Sequence, residues 1–306
     1  MRIVVALGGN ALLLRGDPPD ADLQRHHIDA AVVALAPLAC GNDLVVTHGN
    51  GPQVGLLAIE SSDDHTLTRP YPLDVLGAQT QGMIGYWLLQ ALQNALPGRE
   101  VASLVTQTLV AADDPAFQAP TKFVGAVYTE SEARILAGAR GWSIAPDGTK
   151  WRRVVPSPEP QRIVEINLIT RLLAADAVVV CAGGGGVPVI EKPDGARHGV
   201  EAVVDKDATA ALLAIAVEAD FLLLLTDVAA VEADYGLPQA HPIGRTTPAE
   251  LSRQYFPAGS MRPKVEAACR FVETTGHTAA IGALCDTQAI LAGEAGTIVT
   301  TEAKNR

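Results

Sequence analysis

Cysteine, positive charge and long apolar runs are all scarce in this chain of 306 residues, and each scarcity removes a class of protein. The four cysteines, Cys40, Cys181, Cys269 and Cys285, form no C-x-x-C pair and have no metal-like spacing to histidine. Neither a disulfide framework nor a zinc site is expected, and the four read as reduced, buried thiols. With 34 acidic against 23 basic side chains the net charge is −11, and no block of consecutive basic residues appears. A nucleic-acid or anionic-membrane partner is disfavoured, so a bound anion must be held by a local cluster of donors. The apolar run Leu222 to Leu225 is closed by Thr226-Asp227, far short of a membrane span. The opening MRIVVALGGNALLL is interrupted by Gly-Gly-Asn and followed by RGDPPDAD, which suits a first core strand better than a signal peptide. A cytoplasmic protein is expected. A hydrolase with a Ser or Cys nucleophile finds no elbow motif and no histidine partner.

What is present is apolar residue in quantity: 48% of the chain, enough for one large α/β domain or two lobes. Strand-like runs at Arg2 to Leu7, Asp43 to Thr47, Val101 to Val105, Ala177 to Cys181, Phe221 to Thr226 and Thr278 to Leu284 are in several cases apolar on both faces. Helical spacing lies between them at Asp22 to Leu35, Val54 to Ile59, Asp74 to Leu96, Pro158 to Ala174, Asp207 to Val217 and Pro263 to Thr274. This alternation predicts an α/β fold, a three-layer αβα sandwich around a mainly parallel open sheet joined by right-handed crossovers. Residues 123 to 160 break the rhythm with Gly125, Gly138, Gly141, Pro146-Asp147-Gly148, Pro156 and Pro158, and with the basic trio Lys150, Arg152 and Arg153. They predict a small excursion from the sheet, a lid or protruding subdomain.

In open parallel sheets, ligands collect beyond the carboxyl ends of the strands, where the next helices begin. Three such ends carry glycine: Gly8-Gly9-Asn10, His48-Gly49-Asn50-Gly51 and Gly183 to Gly186. The last, in CAGGGGVPVI, fits neither a P-loop nor a dinucleotide fingerprint, and taken alone reads as a tight strand exit. Together the three suggest one cavity lined by backbone donors, with the amides of Asn10 and Asn50. His48 is as readily structural as functional. Asp205-Lys206-Asp207 precedes an apolar helix, with Asp207 as its N-cap or a first-turn acid. Thr226-Asp227 ends another strand, as a turn cap or a contact to ribose or base. Lys264, in a helix opened by Gly259-Ser260-Met261-Arg262-Pro263, sits where the helix dipole disfavours a cation, which hints at an anionic partner.

The chain resembles the carbamate kinases, within the wider amino-acid kinase family, in ALGGNAL (Ala6 to Leu12), THGNGPQVG (Thr47 to Gly55), PLDVLGAQTQGMIGYWL (Pro72 to Leu88), APTKFVGAVY (Ala119 to Tyr128), RRVVPSPEP (Arg152 to Pro160), CAGGGGVPV, GVEAVVDKD (Gly199 to Asp207), LTDV and GSMRPKV. The stretches LGAQTQGMIGYWL and RRVVPSPEP are the distinctive ones. The resemblance implies an N-terminal lobe, residues 1–170, for carbamate or carbamoyl phosphate, including the subdomain at about 123–160. It also implies a C-terminal nucleotide lobe, residues 171–306, and a homodimer. The implied reaction is reversible phosphoryl transfer between carbamoyl phosphate plus ADP and carbamate plus ATP, with Mg2+ accompanying the nucleotide and no dedicated metal cage.

By resemblance, Lys122, Lys206 and Lys264 are catalytic, stabilising the transferring group and the nucleotide phosphates, and Asp207 orients the lysines. Gly8, Gly9, Asn10, Gly49, Asn50, Gly51, Gly184 and Gly185 bind the substrate, while Lys206, Thr226, Asp227, Met261 and Lys264 bind nucleotide. Carbamate is already an anion, so no general base is needed; what must be overcome is repulsion between anions. Two departures from the family pattern stand out: Phe123 follows the PTK triplet where proline is common, and Arg262 follows GSM where glycine is common. A kinase of another small carboxylate or phosphonate is the alternative on the same scaffold. A catalytically weak sensor is the alternative of another class, and it would be expected to have lost one of these lysines or Asp207.

Overall fold

The residues described in this computed structural model are 1–9, 12–13, 17–256 and 261–302. Their largest sheet has eight strands, numbered here in chain order: β1 Arg2–Leu7, β2 Asp43–His48, β3 Val101–Ser103, β4 Val178–Val180, β5 Phe221–Thr226, β6 Arg245–Thr246, β7 Thr278–Ala283 and β8 Thr297–Val299. The order across the sheet is β6-β8-β7-β5-β1-β2-β4-β3. Every pairing is parallel except that of β7 with β8.

The alternation of side chains along β1 shows why both faces had to be apolar. Ile3, Val5 and Leu7 enter one cluster, beneath the helices Ala21–Leu35 and Leu73–Ala95. Val4 and Ala6 enter the other, beneath the helices Lys206–Ala216 and Met261–Thr275. Successive residues of a strand point to opposite faces, so a sheet covered on both sides needs apolar residues at both parities. Each fully buried Val, Ile or Leu contributes about 1.5–3 kcal/mol, which makes this three-layer packing the main stabilising term.

Besides a two-stranded pair, Glu232–Ala233 with His241–Pro242, two smaller sheets accompany the main one among the described residues. Strands Arg197–Gly199, Val187–Glu191, Gln107–Val110 and Pro160–Ile163 form one. The other is the antiparallel trio Lys122–Tyr128, Lys150–Val155 and Ser143–Asp147, which with the helix Glu130–Arg140 makes a small unit projecting from the main sheet. Its helix starts with a capping box between Thr129 and Glu132 and ends on Gly141 in the left-handed region. The unit touches the helix Gly51–Asp63 backbone to backbone: a Cβ on Gly55 would fall 2.1 Å from the Gly125 Cα.

Two expectations are corrected. The helix expected from Pro158 begins only at Ile166, because Pro160–Ile163 is a strand paired antiparallel with Gln107–Val110. Pro156, Pro158 and Pro160 cannot supply helical N–H groups, and the strand buries its two ends, Pro160 and Ile163, with Gln161 and Arg162 exposed between them. The thiols are not all buried: Cys181 is, but Cys40 and Cys285 are exposed and Cys269 is half-buried. Among the described residues no helix is long and apolar enough to cross a membrane.

Candidate active site

The four strands β5, β1, β2 and β4 are consecutive neighbours, so the loops that follow them emerge side by side. Gly8 N donates to Leu225 O (3.1 Å) and Gly49 N to Leu7 O (3.0 Å), which holds the loops level. From β1 the chain crosses to β2, and from β5 it crosses the other way, first to β6 at the sheet edge and then to β7. The crevice between β1 and β5 is thus a topological switch point, where ligands of open α/β sheets bind. A cavity of about 220 Å³ opens there, lined by Gly8, Gly9, Gly49, Asn50, Gly51 and Gly184, by Lys122, Lys206, Asp207 and Lys264, and by Thr226 and Asp227.

The four-glycine turn is built for close approach. Gly184, Gly185 and Gly186 have φ of 65°, 92° and 84°. A Cβ on Gly184 would lie 2.2 Å from Asn50 Nδ2, and one on Gly185 would lie 2.5 Å from Val204 O. Both the backbone angles and the space admit only glycine here. The hydrogen bonds show which donors remain for a ligand. Gly185 N and Gly186 N are spent on Ala182 O and Gly183 O, and the N–H groups of Gly8 and Gly49 on the strand ends. The N–H groups of Gly9, Asn50, Gly51 and Gly184 donate to no described residue. Asn50 and Gly184 are buried and Gly9 and Gly51 half-buried; buried donors are almost always paired, so open ones gathered around one cavity mark an acceptor's seat.

The charged groups converge from two helix starts and the projecting unit. Lys206 Nζ lies 2.5 Å from Asp207 Oδ1, and Lys264 Nζ lies 3.0 Å from Oδ2 of the same carboxylate. Asp207 and Lys264 are buried, each 4% exposed. Asp207 is a first-turn residue, and the N-cap is Asp205, whose Oδ1 accepts from Asp207 N (2.9 Å) and Ala208 N (3.1 Å). The other oxygen of Asp205 is in an ion pair with Lys122, at the start of the first strand of the projecting unit.

Burial pushes the Asp207 carboxyl up, but the ammoniums of Lys206 and Lys264 outweigh it and hold it below the usual carboxylate range. Burial lowers Lys206 to about 8; Asp207 counteracts and Lys264 reinforces the shift. For Asp205, burial is likewise outweighed, here chiefly by Lys122, and its carboxyl is held well below the ordinary range. Two ammoniums sharing one carboxylate concentrate positive charge at the clasp, although the whole cavity is lined by three lysines and three aspartates. An anion seated against them is stabilised by those charges and by the helix N-termini.

The remaining expected residues fall as follows. Asn10, Gly259 and Ser260 lie outside the described residues. Met261 packs against the apolar core and is not among the cavity's lining residues. Gly185 does not line the cavity either; its carbonyl accepts from Thr108 (2.7 Å) and Thr209 (3.1 Å), bracing the turn. His48 is 1% exposed, its Nδ1 is 2.9 Å from Gly49 O, and burial lowers it to about 4, so it is neutral at ordinary pH. Phe123 lines the cavity. Arg262 does not; its guanidinium pairs with Glu266 (2.7 Å), and the residue lines an adjoining cavity that shares Lys122, Phe123 and Asp205 with the first. Asp205 was singled out in the sequence only within the cluster Asp205-Lys206-Asp207, and Thr80 was not singled out. Their roles rest on partners, Lys122 and Asn50, that are 83 and 30 positions away.

Glycine loops with open donors and a two-lysine clasp, at the carboxyl edge of a doubly covered parallel sheet, define an enzyme that handles phosphorylated anions. Comparison with known proteins narrows the class. A family model described as "Amino acid kinase family" matches residues 1–283. A carbamate kinase of Rhizobium meliloti is 53% identical over 304 residues, covering 98% of this chain and 94% of that protein. Among solved structures, the carbamate kinase of Giardia lamblia bound to citric acid superposes with a TM-score of 0.92 at 37% identity, covering 98% of each chain. The same protein bound to AMP-PNP gives 0.89 at 37% identity, again covering 98% of each chain. The chain belongs to the amino acid kinase family, and within it to the carbamate kinases. It is a phosphotransferase.

Proposed function

We propose that the protein transfers a phosphoryl group reversibly between carbamoyl phosphate plus ADP and carbamate plus ATP, directly and in line. The observation that carries this reading is the clasp of Lys206 and Lys264 on Asp207, set among open backbone donors in one cavity. The family likeness supports it, as does the nucleotide analogue bound to the Giardia lamblia enzyme.

The charge logic follows from the reaction. A carbamate anion attacks a polyphosphate, so the transition state gathers negative charge on the transferring oxygens and needs fixed positive charge rather than a base. Lys206 and Lys264 provide it, held in place by Asp207 so that no reorganisation is needed at the moment of transfer. Lys122 approaches from the projecting unit and is kept in reach by Asp205. Gly9, Asn50, Gly51 and Gly184 offer N–H groups to the phosphoryl and carboxyl oxygens. Thr226, Asp227 and Met261 are assigned to the nucleotide side.

Magnesium bound with the nucleotide would add neutralising charge across its phosphates. No group of three or more His, Cys, Asp or Glu side chains suited to a metal comes together among the described residues. The ion would be held mainly by phosphate oxygens and water, as the family resemblance implies. A nucleotide lobe at 171–306, an acceptor lobe at 1–170, a homodimer and a cytoplasmic location complete the proposal.

Mixing the protein with carbamoyl phosphate, ADP and magnesium and following ATP tests the reading. ATP formation is expected; folded protein that forms none would show that the acceptor is another acid or that the chain only binds its ligands.

A further inference from the structure

Three carboxylates line the cavity, and each is engaged: Asp205 and Asp207 by lysines, and Asp227 by Thr226 Oγ1 at 3.1 Å, while the backbone groups around them are donors. Asn50 breaks the pattern. Its Nδ2 donates to Thr80 Oγ1 at 2.8 Å, and Thr80 Oγ1 in turn donates to Gly77 O at 2.7 Å. Because the Thr80 hydrogen is committed to Gly77, its oxygen has only lone pairs to show Asn50. The nitrogen end of the amide must therefore be the end turned toward Thr80. The other end, Oδ1, accepts no hydrogen bond from any described residue, and Asn50 lines the cavity. Gly184, without a side chain, lets the amide lie against the four-glycine turn.

An acceptor in a cavity of donors disfavours a phosphate or carboxylate oxygen and favours an N–H. On the acceptor side of the proposed reaction one such group is present, the amino group of carbamate and carbamoyl phosphate. We infer that Asn50 Oδ1 accepts a hydrogen bond from that amino group, and that Thr80 is the positioning residue that fixes which end of the amide is presented. The inference rests on the proposed reaction and deepens it: it assigns the discrimination between a carbamoyl group and an acyl group with a methyl in its place. A site that pairs a substrate N–H leaves its own acceptor unpaired with the analogue that lacks one.

The test compares carbamoyl phosphate with acetyl phosphate, which has a methyl group where carbamoyl phosphate has the amino group. Acetyl phosphate is followed as a phosphoryl donor to ADP and as a competitive inhibitor. Thr80→Val removes the hydroxyl and frees the amide to turn, and is expected to lower kcat/KM for carbamoyl phosphate by about tenfold. Use or binding of acetyl phosphate should change by less than about twofold, and Thr80→Ser should restore the wild-type preference. If Thr80→Val melts, Asn50→Ala takes its place, with the same expected narrowing of the preference. An equal change for both compounds in the folded variant, or an unchanged preference, overturns the inference. Wild-type protein that makes no ATP from carbamoyl phosphate contradicts the proposed function instead, before any variant is compared.

Discussion

Lys264 Nζ stands 3.0 Å from Asp207 Oδ2, a buried contact between residues 57 positions apart that ties the first turns of two helices together. With Lys206 on the other oxygen, one carboxylate holds two ammoniums in a space of a few ångströms. Such an arrangement is costly for folding, since buried charges lose hydration, and it is stabilising only when each is paired. The polarity of the site is explained if a further anion joins it during the reaction.

The depressed value of Lys206, about 8, leads to a pH prediction. Its ammonium is the form that stabilises phosphoryl oxygens, so kcat/KM for carbamoyl phosphate should fall as pH rises through about 8. An anion bound beside it raises the value, so the alkaline limb of kcat should lie higher than that of kcat/KM. Lys206→Arg cannot deprotonate in this range, and whatever activity it retains should lack the limb. Identical limbs in wild type and Lys206→Arg would assign the titration to another group.

Asp205 does two jobs with two oxygens, and substitution separates them. Asparagine keeps the N-cap toward Asp207 N and Ala208 N but loses the ion pair with Lys122; alanine loses both. Asp205→Ala should be less stable than Asp205→Asn by about 1 kcal/mol in denaturant titrations, the usual worth of a cap. Both should lose kcat/KM to a similar extent, because both release Lys122. Asp205→Asn with full activity would show that Lys122 needs no holding.

His48 should contribute to acid destabilisation. Burial lowers it from 6.5 to about 4 in the folded state. Between these values the unfolded chain binds a proton that the folded chain does not, so stability falls as pH falls through that window. A fully buried histidine with this shift loses about 3 kcal/mol across it. His48→Gln has no such proton to take up, so its stability should depend less steeply on pH between 6.5 and 4. Parallel curves for the two proteins would remove His48 from the acid transition.

The layers of the fold were legible because β1, β2 and β5 are apolar at both parities, a pattern that only a doubly covered sheet explains. Glycines at three strand ends marked the cavity for the same local reason. Across the strand Pro160–Ile163 the sequence is misleading: Ile163, Ile166, Ile169 and Leu173 recur at helical spacing, while Pro156, Pro158 and Pro160 keep the helix from starting before Ile166. Hydrogen-bond assignments were out of reach. That Gly8 and Gly49 spend their N–H groups on neighbouring strands, while Gly9 and Gly51 do not, depends on strand order. The turn of the Asn50 amide depends on a threonine thirty positions away in another helix.

The most direct test of the account is the turnover of Lys264→Ala in forming ATP from carbamoyl phosphate and ADP with magnesium, alongside wild type and a thermal melt of each. A pre-organised charge on the transferring group predicts a fall in kcat of about 100-fold to 1000-fold in a variant that still folds. Near-wild-type turnover in folded Lys264→Ala would contradict the clasp as the centre of catalysis.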